Sequence, residues 1–390
     1  INILFVWHLR EEKMKEINTN NGKIYFDEFT RYYYKSENEK LKKGFFENYA
    51  EYFSYIQQIN YFDTIYYNIT KKCNMHCSYC YSHSENIDIS KEQNDIILKK
   101  LVKLNCRSIA LIGGEPMCNS NFWEILESIK SIPNISEITI VTNGTLIDKQ
   151  NISLLNDPRI CLQISLDDIN EEDNAKTRGY GQLTKVFDIL PDLIQAKINI
   201  RIMKVLTRES IKTSEKFYHF FHQKGISAGF FIVKKVSDDM KPTIDQLRQL
   251  LDFLQSHYNI DVTEAFEIVK FADNMMFGNE GFPVTHCGAG ITSLSIHPDG
   301  NVYPCVKRYG ETDLITNIFN TEAVYDILIH RKELIKKDLV DNNKSCQKCE
   351  LKYFCGGGCR AEATNHLPCK YNCSYYKFAL EYYGENIYKK

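Results

Sequence analysis

Three thiols stand within the run Cys73-Asn74-Met75-His76-Cys77-Ser78-Tyr79-Cys80, spaced C-x3-C-x2-C. A cubane iron–sulfur cluster has four irons and is normally held by four cysteine thiolates. Three ligands from one short loop leave one iron open to bind and reduce a small molecule. The alternative is a zinc loop, but zinc sites usually pair C-x2-C with a second pair further on.

A second group of thiols lies far along the chain. Cys287 is followed by twelve residues, Gly300, four more residues and Cys305. Then come Cys346-x2-Cys349-x5-Cys355-x3-Cys359, Cys369 and Cys373. Eleven of the fourteen cysteines fall in these two groups, and clustering at short fixed spacing argues for metal ligation. Pro298-Asp299-Gly300 is a turn signal, so Ile291–Cys305 reads as a hairpin presenting Cys287 and Cys305 together. A zinc ribbon of Cys346, Cys349, Cys355 and Cys359 would leave Cys287 and Cys305 unexplained. Of the remainder, Cys106 and Cys161 read as small buried hydrophobes, and Cys118 is unassigned.

These thiols need a scaffold. From Thr64 to Val236, short β-rich runs alternate with amphipathic helical runs. The expected strands are Thr64–Ile69, Ser108–Ile112, Glu137–Thr142, Cys161–Leu166, Asn199–Leu206 and Ala228–Val233. The expected helices are Lys91–Leu104, Phe122–Ser131, Asp148–Leu155, Leu183–Ala196 and Thr213–Gln223, with Thr243–Tyr258 leading out. Such alternation implies right-handed βαβ crossovers and a parallel sheet, here an incomplete, TIM-like (β/α)6 barrel. Chemistry then belongs at the carboxyl ends of the strands. The cysteine loop follows the first strand, Gly113-Gly114-Glu115-Pro116 the second and Thr142-Asn143-Gly144 the third. Ser165, Asp167 and Asp168 end the fourth. The glycine pair lets backbone approach closely, because no Cβ intervenes.

Composition removes some classes of function. Lys plus Arg number 48 and Asp plus Glu 50 in 390 residues, so no global basic field draws nucleic acid. No run of eighteen apolar residues suggests a membrane span, and the first nine residues are too short for a signal segment. A cytoplasmic protein is expected, where thiols stay reduced rather than forming disulfides.

The cysteine loop, placed ahead of the Gly113-Gly114-Glu115 turn, resembles the signature of the radical S-adenosylmethionine (SAM) enzymes. The second cysteine group resembles their SPASM accessory domain. The resemblance covers roughly Ile65 to Tyr376. It implies that Cys73, Cys77 and Cys80 hold a 4Fe–4S cluster whose open iron chelates SAM. Gly113, Gly114 and Glu115 would hold the SAM amino group, and Tyr79 would lie near the adenine. Ser165 matches a hydroxyl that reaches the ribose or carboxylate. Arg178 matches an arginine pairing with the carboxylate, a task suited to a planar guanidinium. The family pattern Ser-x-Asp-Gly reads here Ser165-Leu166-Asp167-Asp168, with Asp168 replacing the glycine.

By the same resemblance, a first auxiliary cluster takes Cys287, Cys305 and Cys359. A second takes Cys346, Cys349, Cys355 and Cys373, with Cys369 a spare or the residue that closes the first site. Three 4Fe–4S clusters would carry about twelve irons. Related sulfatase maturases have an aspartate base directly after the residue matching Cys305; here Val306 and Lys307 follow. They also have a further cysteine soon after the one matching Cys287, and this chain has none before Cys305. The first auxiliary cluster would then keep an open iron for a substrate thiolate. The implied function is maturation of a ribosomally made, cysteine-containing precursor peptide by hydrogen abstraction and thioether formation, with flavodoxin or ferredoxin as electron donor. No catalytic base is identified. Formylglycine formation and a non-catalytic iron–sulfur electron carrier are the competing readings.

The expected domains are an N-terminal helical extension at 1–60, the barrel at 61–258, a bridge at 259–284, the SPASM region at 285–376 and a helical tail at 377–390. In the extension, Phe45, Tyr49, Tyr52, Ile56 and Ile59 fall at helical spacing. That face either packs on the barrel or contacts a leader peptide, which related maturases bind by adding a strand to a sheet edge.

Overall fold

The computed structural model describes residues 14–19, 22–27, 33–36, 39–40, 54, 57–80, 82, 85–270, 286–363 and 367–386. The chain forms two compact units, each discontinuous in sequence. One comprises Asn60–Thr243 and Gly288–Leu334, and the other Ile1–Ile59, Ile244–Cys287 and Ile335–Lys390.

The N-terminal residues carry four strands, β1 (Met14–Thr19), β2 (Gly22–Asp27), β3 (Tyr33–Ser36) and β4 (Glu39–Lys40), paired antiparallel in that order. This replaces the helical extension expected for this stretch. The missed signal is Asn20-Asn21-Gly22, a hairpin connection between two strand-length runs. Thr19 pairs with Gly22, and the register runs out to Met14 against Asp27. Most of the aromatic helical pattern at 45–59 lies outside the described residues, though Ser54, Gln57 and Gln58 are helical.

The first-named unit holds the barrel strands β5 (Phe62–Asn68), β6 (Cys106–Ile112), β7 (Glu137–Thr142), β8 (Ile160–Ser165), β9 (Ile200–Leu206) and β10 (Ser227–Ile232). They lie side by side in chain order and all parallel. Each starts and ends within two residues of the sequence expectation. Ile65, Leu111, Ile140, Leu162, Ile164 and Ile202 are fully buried. Strands covered on both faces need such continuous apolar runs. Cys106 and Cys161 are buried in β6 and β8, the structural role expected of them.

Helices Lys91–Lys103, Phe122–Lys130, Gln182–Gln195 and Ser214–Gln223 alternate with the strands along the chain, and a 3₁₀ segment covers Lys149–Leu155. The first begins with a capping box in which Ser90 accepts from the Gln93 amide and Gln93 from that of Ser90. That pattern satisfies two otherwise orphaned donors. One helix, Glu171–Arg178, escaped the sequence reading. It lacks apolar periodicity and is defined by its ends. Asn170 caps the Glu172 and Asp173 amides, acidic residues fill the first turn, and Gly179 (φ +85°) stops it.

After the short strand β11 (Val269–Lys270) the hairpin around Pro298-Asp299-Gly300 forms as expected, from β12 (Ser293–Ile296) and β13 (Asn301–Tyr303), followed by β14 (Thr316–Asn317). Gly300 adopts φ +84°, and a Cβ there would meet the Phe319 ring at 2.5 Å. Beyond the expectation, β12 pairs parallel with β5 and extends the barrel sheet. The edge beside the cysteine loop is thereby covered instead of exposed. In the other unit, helix Lys370–Asn386 runs back through the region set aside as a tail, so it begins before Cys373. Among the described residues no helix is long and apolar enough to cross a membrane.

Candidate active site

The cysteine loop leaves β5 at Asn68, and two contacts hold its first residues. The Asn119 side-chain amide donates to the carbonyls of Ile69 (2.8 Å) and Ile89 (3.1 Å). Asp88 accepts from the Thr70 hydroxyl at 2.5 Å and also pairs with Lys72.

The Gly113-Gly114 turn then lies directly on this loop. The Gly114 amide donates to the Thr70 carbonyl (2.9 Å) and the Glu115 amide to that of Lys72 (2.8 Å). A Cβ on Gly114 would fall 2.3 Å from the Lys72 oxygen and 2.9 Å from the Cys73 Cβ. The close backbone approach anticipated at these glycines is thus made to the thiol-bearing loop itself.

Glu115 is almost fully buried and works inward. Its carboxylate accepts from the Thr142 hydroxyl and the Asn143 amide, each at 2.7 Å. Burial pushes its carboxyl up to about 7, against the pull of those donors. Glu115 thus engages the loop after β7. Asn143 donates onward to Asn74 (2.8 Å), and Asn74 to Thr145 (2.8 Å). The ends of β5, β6 and β7 are therefore tied into one polar network around the thiols.

Asp167 organises the end of β8. It is 2% exposed and ion-paired with Arg178, at 3.0 Å to Nε and 3.3 Å to a terminal nitrogen. It also accepts from the Tyr79 hydroxyl (2.6 Å), the Thr177 hydroxyl (2.7 Å) and the Val205 amide (3.1 Å). Burial disfavours the Arg178 charge, but Asp167, Tyr79 and Cys77 outweigh it and hold the guanidinium cationic. The Tyr79 phenol is raised by burial. Arg178, read as a SAM carboxylate ligand, thus already has an internal carboxylate partner. Ser78 donates its amide to the Thr177 carbonyl at 2.9 Å, joining the cysteine loop to the helix that ends at Arg178. Ser165 stands at the end of β8, where its carbonyl accepts from Gln182.

Asp168, the residue replacing a glycine, accepts from the Ile169 and Asn170 amides and the Thr213 hydroxyl. It faces the fully buried Lys204 at 3.5 Å. Lys204 also donates to Thr213 (2.7 Å), and burial lowers it to about 8. Sequence reading missed Lys204, Asn174 and Gln182. Asn174 accepts from the Asp167 and Asp168 amides and donates to Gln182, which donates to the carbonyls of Asn143 and Ser165. A lysine inside the apolar strand Ile200–Leu206 was the available signal. The two amides had none.

Burial pushes the Cys73 thiol up to about 11 and raises Cys77, which lies in electrostatic reach of Arg178 and Asp167. Cys80 is exposed at the loop end. Cys118, raised by burial and then by Glu115, lies in reach of Cys73.

In the other unit, burial raises Cys346, Cys355 (to about 12) and Cys373. Cys349 adds to all three, and Cys373 to both Cys346 and Cys355. These four thiols therefore share one neighbourhood, and Cys369 touches it through Cys373. Cys287 and Cys359 meet a different group, the buried Tyr376 phenol, which Cys355 also reaches. Cys305 follows β13 in the barrel-bearing unit. Arg360 clamps the glycine run before Cys359, donating to the carbonyls of Gly356 (2.9 Å), Gly358 (3.1 Å) and Asp338 (3.0 Å). Gly357 donates its amide to the Cys355 sulfur at 3.3 Å. Among the described residues no three His, Cys, Asp or Glu side chains converge on a single ion position. A cubane spreads its thiolates over separate irons and does not require such convergence.

Residues 67–221 match the Radical SAM superfamily, and residues 287–350 match the SPASM iron–sulfur cluster-binding domain. The chain carries a radical SAM domain followed by a SPASM domain; it is an enzyme of the radical SAM type, which uses SAM and a 4Fe–4S cluster. It is similar to the mycofactocin maturase MftC of Mycolicibacterium smegmatis, 26% identical over 76% of this chain and 77% of that one. It is also similar to a cysteine-type anaerobic sulfatase-maturating enzyme of Clostridium perfringens, 25% identical over 80% and 93%. Among solved structures, anSMEcpe with bound AdoMet shares the fold at TM-score 0.64 and 21% identity, covering 82% of this chain and 96% of that one. Streptococcus suis SuiB bound to precursor peptide SuiA shares it at TM-score 0.64 and 17% identity, covering 82% and 78%.

Proposed function

We propose that this enzyme matures a ribosomally made, cysteine-containing peptide by joining a cysteine sulfur to an unactivated carbon. Support for a peptide substrate comes from relatives named as a mycofactocin maturase and a sulfatase-maturating enzyme, and from a fold shared with SuiB bound to its precursor peptide. The observation that carries the thioether reading is the stretch after Cys287. It has no second cysteine before Cys305, and Val306-Lys307 stands where an aspartate base would be needed. The nearby Asp313 is held by Arg308, at 3.0 Å and 2.9 Å.

In this reading Cys73, Cys77 and Cys80 hold the cluster that binds SAM. Together, cluster and SAM supply a carbon-centred radical able to remove a hydrogen atom from the peptide. Asp167 keeps Tyr79 and Arg178 in place beside the cysteine loop. Glu115 fixes the Thr142–Gly144 loop, and the glycine pair sets the depth at which the thiols sit. Cys346, Cys349, Cys355 and Cys373 hold one auxiliary cluster. By the SPASM resemblance, Cys287, Cys305 and Cys359 would hold a second, with room for the substrate thiolate as a further ligand. The peptide exchanges a C–H and an S–H bond for a C–S bond. The peptide would lose two hydrogens in all, one as an atom and one as a proton plus an electron, and an auxiliary cluster would supply the acceptor for that electron. A flavodoxin or ferredoxin supplies the reducing electron.

The test is incubation of reconstituted enzyme, SAM and reductant with a cysteine-containing precursor peptide. A product lighter by two hydrogens, with one cysteine resistant to alkylation, is expected. Unchanged mass with every cysteine alkylatable, or a cysteine converted to an aldehyde, would remove the thioether reading.

A further inference from the structure

Asn372 lies on helix Lys370–Asn386, one residue before Cys373. It is 1% exposed, and neither its side-chain nitrogen nor its oxygen has a hydrogen-bond partner among the described residues. A buried amide left this way costs about 1–3 kcal/mol, and native proteins rarely keep one without a reason.

Asn372 lies against the cysteine-bearing segment that holds Gly358. A side chain on Gly358 would come within 3.6 Å of Asn372 Nδ2, so the amide rests against the bare α-carbon just before Cys359. Gly358 is held to the Cys355 carbonyl at 3.0 Å. Four residues on, one helical turn along the same face, Tyr376 reaches Cys355, Cys359 and Cys287. On the other side, Cys373 reaches Cys349. Gly357 already directs one N–H at the Cys355 sulfur.

We infer that Asn372 donates its side-chain N–H to a sulfur of the auxiliary iron–sulfur group assigned to Cys346, Cys349, Cys355 and Cys373. It thereby stabilises the reduced, more negative state of that group. Hydrogen bonds to cluster sulfurs are among the determinants of reduction potential. The inference rests on the auxiliary ligand assignment above. Asn372 is a positioning and tuning residue in this account, since it touches neither substrate nor SAM.

The experiment is an EPR-monitored redox titration of anaerobically reconstituted full-length protein, wild type against Asn372→Leu and Asn372→Asp, with iron counted per chain. Both variants should keep wild-type iron. The reduction equilibrium constant of an auxiliary cluster should fall about tenfold, about 59 mV lower for a one-electron couple. Wild-type protein carrying asparagine labelled with ¹⁵N at Nδ2 should also show a ¹⁵N coupling to the reduced cluster, an observation independent of whether either variant folds. Loaded auxiliary clusters with neither the coupling nor the potential shift, as a trapped water beside Asn372 would give, overturn this inference alone. A wild type that binds iron only at the first cysteine loop overturns the auxiliary ligand assignment together with it.

Discussion

Arg178 and Asp167 form a buried ion pair, 3.0 Å between Nε and the nearer carboxylate oxygen, beneath the thiol-bearing loop. The pair joins the end of β8 to the helix that follows it, and through Tyr79 it reaches Cys77 and Cys80. Removing one partner of a buried pair strands the other, which costs about 3–5 kcal/mol. Asp167→Ala should lose that much stability in chemical denaturation of the anaerobic protein. Tyr79→Phe, which removes one hydrogen bond to a charge, should lose about 1.5–3 kcal/mol. Equal losses in the two variants would contradict a central role for Asp167.

Asp168 and Lys204 make a second buried pair, but an unequal one. Asp168 also has two backbone amides and the Thr213 hydroxyl, whereas Lys204 has, among the described residues, the Thr213 hydroxyl and the face of the Phe217 ring besides the carboxylate. Asp168→Ala should therefore be the costly change, about 3–5 kcal/mol. Lys204→Met, which restores apolar packing, should cost under about 1.5 kcal/mol or stabilise the protein. Thermal melts of both variants give the order directly.

Gly114 has no space for a methyl group, because the obstructing atoms belong to the Lys72 backbone and cannot swing aside. Gly114→Ala should shift the cysteine loop and prevent loading of the cluster beside it. Iron should fall from about twelve to about eight per chain, with the SPASM region still loaded. Full iron and normal SAM binding in this variant would mean that the close approach is dispensable.

Glu115 gives the site a pH signature. Its carboxyl is pushed from 4.5 up to about 7 by burial, so the folded protein keeps a proton that the unfolded chain has released. Stability contributed by this group is full below about 4.5 and falls as pH rises through the window to about 7, by at most about 1.4 kcal/mol per pH unit. Glu115→Gln should remove that slope while straining the loop, since an amide nitrogen then faces the Thr142 hydroxyl or the Asn143 N–H. Denaturation series at several pH values check the sign.

The barrel was legible because each strand is a short, nearly uninterrupted apolar run, and two-sided burial requires that pattern wherever the strand sits. Ile138–Val141 and Leu162–Ile164 announce themselves without their neighbours. The thiol groups were legible because their spacing is local. What escaped depends on partners distant in sequence. Nothing in Arg178 or Asp167 alone says that they face each other, and the extension of the sheet by β12 joins residues more than two hundred positions apart, such as Thr64 and Ser293. Helix Glu171–Arg178 was missed because capping and charge placement define it, not periodicity. The N-terminal strands escaped because the runs on either side of Asn20-Asn21-Gly22 are short and mixed in polarity, so their pairing rests on that turn alone.

The central claim is that the first cysteine loop binds a cluster with an open iron that cleaves SAM reductively. The most direct measurement is chromatographic detection of 5′-deoxyadenosine after dithionite reduction of the reconstituted protein with SAM, alongside a Cys77→Ala variant. Wild type should release 5′-deoxyadenosine and methionine. The variant should release neither, yet retain the iron of the SPASM region. Fully iron-loaded wild type that leaves SAM intact would contradict the account.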